Sequence, residues 1–416
     1  VFEAFGWNLI VLKYGRLQKD AFKEPGGNLL KKWIDDCPNQ LYSALIYEGG
    51  TTFKKRVLDD IGDQDIVSKL INKRSDNEFL ELMANLGGHC VPTLCDAFNG
   101  IKDDKPTAFI AYTIKGWGTP LAGHKDNHAG LMTKIQMDSF KSKFGITEGN
   151  EWNSFLDAKE DLELNEFIKN SPFQKARHRK YNSKKIPVDD IILITETKIS
   201  TQNAFGKILD QYAKNDTEFG NRIITTSPDV SVSTNLGPWI NKKGLFSRTD
   251  SSDTFRDRKI PSAQKWIFSS QGQHIELGIA EMNLFLMLGA AGLSHELFGE
   301  RLFPIGTVYD PFIARGLDAM NYACYQDARF MIVGTPSGVS LAPEGGAHQS
   351  IGTPLIGISQ PGLLSYEPAF ADELSIIMNY GFNYLQDENG GSIYLRLTTR
   401  SIEQPLREIN HELKQN

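Results

Sequence analysis

Cysteine is scarce in this chain: 4 of 416 residues, at Cys37, Cys90, Cys95 and Cys324. They are too few and too scattered for a disulfide framework, which suits a reducing compartment, and a cytoplasmic location is expected. Cys90 and Cys95 cluster with His89, but no second pair at ligand spacing accompanies them, so they do not read as a metal site. Long hydrophobic runs are lacking as well. The longest, residues 284–293, is about half of the ~20 residues that a membrane-spanning helix needs. An excess of positive charge is also missing. The 45 Lys and Arg against 51 Asp and Glu give a net charge of -6 and a pI near 5.8, which argues against nucleic acid or an anionic membrane as the main partner. Small molecules and other protein chains are the expected partners. Residues 1–8 show neither a basic start before an apolar stretch nor an Arg/Ser-rich presequence. They also begin without Met, and a fragment of a longer protein is the expectation.

What is present is a 40% hydrophobic, 23% charged chain, enough to bury a large core and to divide into two or three domains. Apolar β-type runs at 6–13, 108–114, 191–195, 222–226, 329–334 and 392–397 alternate with helical segments. Their apolarity is continuous rather than alternating, which predicts strands covered on both faces, as in parallel sheets. The expected fold class is α/β, two three-layer domains with mostly parallel sheets. Between about 144 and 187 the composition turns polar and ends in a basic cluster, read as a solvated interdomain connection rather than a grip for a polyanion. Residues 248–273, Ser-rich and charged, read as a long loop, and no internal repeat stands out.

One carboxylate sits oddly. Glu281 falls within residues 274–293, the most apolar helical stretch, with no Lys or Arg near it in sequence. Such a carboxylate must find a partner or stay protonated, which makes it a candidate for chemistry; the plainer alternative is a boundary Glu that reaches the surface. Three further segments stand beside it. Residues 113–130 leave a strand for a loop with Gly116, Gly118 and Gly123, and there Lys115, His124 and His128 could contact an anionic or carbonyl group. Ala342-Pro-Glu344-Gly-Gly-Ala-His348 follows a strand and turns on two glycines before a histidine. Pro304-Ile-Gly-Thr-Val-Tyr309-Asp310-Pro-Phe312 ends another strand with aromatics and an Asp, which core packing could equally explain.

Taken in order, these segments resemble the thiamine-diphosphate enzymes of the transketolase superfamily, most closely the homodimeric type of pyruvate dehydrogenase, its decarboxylating component. Gly6-Trp-Asn, Gly88-His89 and Thr113-Ile-Lys-Gly-Trp-Gly are similar to the later part of that family's diphosphate-binding domain. Lys198-Ile-Ser-Thr-Gln-Asn-Ala-Phe205, Ser227-Pro-Asp229-Val-Ser, Gly278-Ile-Ala-Glu281, Tyr309-Asp-Pro-Phe312 and Glu344-Gly-Gly-Ala-His348-Gln are similar to its pyrimidine-binding domain. The resemblance divides the chain as follows. Residues 1–148 are the C-terminal part of a diphosphate-binding domain, 149–190 a linker, 191–405 a pyrimidine-binding domain, and 406–416 the start of a connection to a further domain.

The resemblance also implies roles. Glu281 would hydrogen-bond a ring nitrogen of the cofactor's aminopyrimidine and activate it; Phe312 and Tyr309 would pack on that ring, and Asp229 and Val230 would line the same pocket. His348, with Glu344 as its acidic partner, and His128 would move protons near the substrate carbonyl. His89 and Lys115 would lie near the cofactor in the first domain, although Cys90 stands where the relatives carry Asp. The implied cofactors are thiamine diphosphate and Mg2+. This chain contains no Gly-Asp-Gly, the motif that with an Asn about thirty residues later supplies the oxygen ligands a hard cation needs, so the metal ligands are expected upstream of Val1. The implied reaction is oxidative decarboxylation of a 2-oxo acid, pyruvate, by a homodimer that passes the acyl group to a lipoyl-bearing acyltransferase. Two alternatives stand: a transketolase, which Thr398-Thr399-Arg400-Ser401 keeps open, and a truncated chain without activity.

Overall fold

The computed structural model describes residues 1–62, 65–153, 162–171, 183–249, 254–341 and 345–405. The chain divides into two compact units, Val1–Asn165 and Glu166–Asn416.

In the first unit two parallel strands, β1 (Asn8–Leu12) and β2 (Thr107–Ala111), pair from Asn8 opposite Thr107 to Leu12 opposite Ala111. Between them in sequence lie short helices, including Gly27–Asp36, Asn39–Glu48, Gly50–Ile61 and Asp76–Ala84. Their apolar faces meet around Leu30, Phe53, Val57, Ile71, Phe79 and Met83. Phe53 stands edge-on to both Tyr42 and Phe79, the arrangement that aromatic quadrupoles prefer.

The second unit is built on strands β3 (Lys198–Ile199), β4 (Ile223–Ser227), β5 (Leu245–Phe246), β6 (Phe268–Ser269), β7 (His274–Glu276), β8 (Phe303–Val308), β9 (Met331–Gly334), β10 (Leu363–Tyr366), β11 (Ser392–Arg396) and β12 (Ile402–Glu403). Eight of the described strands form one sheet in the order β10-β11-β9-β8-β4-β7-β5-β6, and every pairing in it is parallel; β12 and β3 pair separately and antiparallel.

The side chains of the central strands alternate between two cores. Ile305, Met331, Val333, Ile393 and Leu395 face helices Thr201–Lys214 and Ala371–Tyr384 through Phe205, Leu209, Met378 and Phe382. Val308, Ile332 and Tyr394 face Glu281–Gly292 and Leu317–Tyr325 through Leu284, Phe285, Leu288 and Met320. The two cores explain why these strands read as uninterrupted apolar runs, and they make the unit three layers deep, as expected for α/β.

Several expectations need correction. Residues 191–195 form no strand despite their apolarity. The stretch 274–293 is not one helix: β7 is followed by a turn on Gly278, at φ +65, a left-handed value that glycine adopts without strain, and the helix begins only at Glu281. Within 248–273 the chain forms a short helix, Thr254–Asp257, and β6.

The topology fixes where a ligand would go. After β4 the chain moves toward β5 on one side, and after β8 it moves to β9 on the other. A crevice therefore opens between the C-terminal ends of β4 and β8, the usual ligand position in an open parallel sheet.

Candidate functional site

The segment leaving β8 is held from beneath. Asp310 is fully buried. It accepts hydrogen bonds from Thr353 Oγ1 at 2.5 Å, from Ser350 Oγ and Tyr394 Oη, and from the guanidinium of Arg396, whose Nη2 lies 3.2 Å away. Arg396 also pairs with Glu367. Burial, with the Asp310 carboxylate beside it, pushes the Tyr394 hydroxyl up, so it remains a donor. The glycine of β9 makes this cluster possible: a Cβ at Gly334 would lie 2.4 Å from Asp310 Oδ1. Fixed in this way, the 3₁₀ turn Asp310–Gly316 carries Phe312 and Arg315 outward, with Tyr309 just before it. The rings of Tyr309 and Phe312 lie 5.9 Å apart, and His348, in the short turn Gly346–His348, stands 5.6 Å from the first and 5.5 Å from the second.

Glu281 begins its helix, where free backbone N–H groups and the helix dipole favour a carboxylate. Its side chain is 11% exposed, and Arg315 Nη1 donates to its Oε1 at 2.7 Å. Of the two outcomes expected for this carboxylate, a partner or a retained proton, the structure shows a partner, 34 residues away in sequence but adjacent in the fold. The Arg315 guanidinium also lies over the Phe312 ring, its carbon 3.7 Å from the ring centre.

On the other wall, Asp229 follows β4 at φ +60, and the turn runs on through Val230. Glu276, at the end of β7, ties this turn to the one that precedes Glu281. Its Oε1 accepts the backbone N–H of Asp229 at 2.7 Å, Leu277 at 3.0 Å and Gly278 at 3.2 Å; its Oε2 accepts from Ser231 Oγ at 2.6 Å. Ser231 Oγ in turn lies 3.0 Å from Nε2 of the fully buried His274, whose Nδ1 meets Thr225. Burial alone would raise the Glu276 carboxyl; the bonds from His274, Ser231 and the Asp229 amide outweigh it and hold it at about 2.

In the first unit, His89 Nε2 accepts the Ile114 N–H at 2.7 Å and the ring stacks on Trp117 at 4.6 Å, while burial pushes its pKa down. Lys115 Nζ lies 2.8 Å from His128 Nδ1, and Asn127 holds the Lys115 carbonyl. Lys115 and His124 line a cavity of about 500 Å³ with Tyr47, Gly123, Lys125 and Asn127.

The structure therefore brings together Glu281, Tyr309, Phe312 and His348 in one unit, and Lys115 with His128 in the other. Glu344 lies outside the described residues. Arg315, Glu276 and Asp310 are the side chains that sequence reasoning did not assign. Arg315 lies three positions beyond the Tyr309-Asp-Pro-Phe312 motif and outside it, and no local pattern ties it to Glu281. Nothing in the sequence marked Glu276.

A flat aromatic face beside a carboxylate that already accepts from a planar N–H group is an acceptor set that fits a flat heterocycle presenting N–H groups at its edge. Among the described residues no group of three or more His, Cys, Asp or Glu could hold a metal ion. None of the described helices is long and apolar enough to cross a membrane.

The fold is like that of solved transketolases. Transketolase from Leishmania mexicana superposes with a TM-score of 0.54 at 16% identity, covering 87% of this chain and 51% of that one. Transketolase from Campylobacter jejuni gives 0.51 at 14% identity, covering 90% and 56%. Residues 194–405 match the family described as the pyruvate dehydrogenase E1 component middle domain, and the chain belongs to that family. Among its relatives, the pyruvate dehydrogenase E1 component of Pseudomonas aeruginosa is 25% identical over 415 residues, 95% of this chain and 46% of that protein. The Escherichia coli protein of the same name is 23% identical over 429 residues, 96% and 46%. The chain thus spans a little under half the length of these relatives.

Proposed function

We propose that this chain is the part of a thiamine-diphosphate-dependent 2-oxo acid dehydrogenase that holds the aminopyrimidine end of the cofactor. The observation that carries the reading is the joint placement of Glu281 and Phe312 beside the crevice between β4 and β8. Residues 1–148 would then be the end of a diphosphate-binding domain, 149–190 a linker, and 191–405 the pyrimidine-binding domain. Such a protein would be about twice this length, with the Mg2+ ligands in the part that precedes Val1.

Thiamine diphosphate, when bound, supplies the electron sink for loss of carbon dioxide from a 2-oxo acid such as pyruvate. The chain's own residues do the rest. Glu281, at the dry start of its helix, holds a hydrogen bond to the ring and shares its proton. Phe312 offers its face, Tyr309 closes the aromatic wall, and the Asp229–Val230 turn, fixed by Glu276, borders the pocket. His348, with Glu344, and His128 move protons for the substrate carbonyl, and Lys115 and His89 serve the cofactor. A homodimer is proposed, passing its acyl group to a lipoyl-bearing acyltransferase in the cytoplasm. An apolar stripe on the Glu281 helix, described below, supports the dimer.

The test is substrate choice by the full-length protein that carries this chain. Carbon dioxide released from pyruvate is expected. Consumption of ribose and xylulose phosphates with no such release would replace this reading with ketol transfer.

A further inference from the structure

Arg315 engages both of the side chains assigned to the aminopyrimidine at once. Its Nη1 donates to Glu281 Oε1 at 2.7 Å while the guanidinium carbon lies 3.7 Å from the centre of the Phe312 ring. A guanidinium is flat, delocalised, and donates N–H bonds in its own plane. It thereby presents to Glu281 and Phe312 the features an aminopyrimidine would present: an edge with N–H donors and a π-face. Both groups cannot use the same carboxylate oxygen and the same ring face together.

The two partners differ in freedom. Glu281 is 11% exposed, at the start of a helix packed into the core, whereas the Arg315 side chain is 53% exposed and can swing out into water. The turn that carries Arg315 does not need to move, because Asp310 anchors its first residue. The exchange is therefore a side-chain event.

The geometry points to Arg315 as a placeholder for the aminopyrimidine: it fills that seat while the seat is empty, keeps Glu281 paired, and must leave before the ring can enter. This rests on the reading of Glu281 and Phe312 as cofactor-binding residues. Its consequence is a lowered apparent affinity, since a ligand whose site is open only part of the time binds more weakly by the open fraction. A cation over an aromatic ring plus one hydrogen bond to a carboxylate is enough to leave the seat open about a tenth to a third of the time.

The test uses 4-amino-2,5-dimethylpyrimidine as the probe and the full chain as it stands, with binding followed by NMR and with the Arg315 guanidinium signals observed directly. The wild-type chain should bind the probe weakly, and the Arg315 signals should move as it binds. Arg315→Met, which keeps an unbranched stem but not the charge or the N–H groups, should bind the probe about three- to tenfold more tightly. Glu281→Gln should lose most of the binding. If Glu281→Gln weakens the probe but Arg315→Met binds it no more tightly than wild type, the placeholder is wrong and the site reading survives. If no variant binds the probe, or if Glu281→Gln binds it as wild type does, both are overturned.

Discussion

The Glu276 side chain shows how a single residue sets the shape of this site. It is the common acceptor for amides from two turns, one after β4 and one before Glu281, so its charge fixes the distance between the two walls of the crevice. With the carboxyl held at about 2, well below the ordinary glutamate range, the charged form belongs to the folded state. The stabilisation is complete above an ordinary glutamate pKa of about 4.3 and is lost as pH falls through about 2. With the side chain 28% exposed, a contribution on the order of 1–2 kcal/mol is reasonable after allowance for solvent screening. Replacing Glu276→Gln should remove that amount near neutral pH and flatten the loss of stability between pH 5 and 2, both read from urea unfolding at several pH values. An unchanged pH profile would show that Glu276 is not the clamp.

At the scale of elements, the centre of the eight-stranded sheet was legible because its strands are mostly apolar without alternation, and β8, β9 and β11 are buried at every residue, as strands covered on both faces are. The two short strands at one end of the sheet were not, since Leu245–Phe246 and Phe268–Ser269 offer two residues each and no period. Residues 191–195 misled for the opposite reason: apolar side chains can pack against a core without pairing, as Ile192 and Ile194 do. Glu281 was conspicuous in sequence, whereas its partner Arg315 was hidden because a contact across the fold leaves no local pattern. The Asp310 cluster was equally hidden, as Ser350, Thr353, Tyr394 and Arg396 lie at least forty residues away. Asp310 joins the end of β8 to β11 and to the start of helix Thr353–Ser359 through them, and truncating it takes one of two carboxylates from the buried Arg396 and the acceptor from three hydroxyls. Asp310→Ala should cost about 3–5 kcal/mol by denaturant unfolding. A loss within ~0.5 kcal/mol would mean that the turn carrying Tyr309, Phe312 and Arg315 is held by something else.

At the scale of the whole molecule, the helix that starts with Glu281 has an outer stripe. Met282 and Leu286, 39% and 59% exposed, are four residues apart and share one face, and Ile279 in the turn before the helix is 79% exposed. The opposite face, with Leu284, Phe285 and Leu288, is in the core, which makes this helix apolar all round. A helix of that kind is expected to be covered, and a second copy of the chain is the proposed cover. Leu286→Glu should shift the protein from dimer to monomer in sedimentation at micromolar concentration, while its circular dichroism stays native. A protein that is monomeric before the substitution would rule the dimer out.

Glu281 joins the residue pattern, the geometry at its helix start and the proposed chemistry. The measurement that reaches it most directly is the rate of carbon dioxide release from pyruvate by the full-length protein saturated with thiamine diphosphate and Mg2+, with Glu281 intact and with Glu281→Gln. Gln keeps the size and one acceptor but cannot share a proton. A loss of about 10²- to 10⁴-fold with the fold preserved is the predicted result. A Glu281→Gln variant that turns over within a few-fold of wild type would contradict the account.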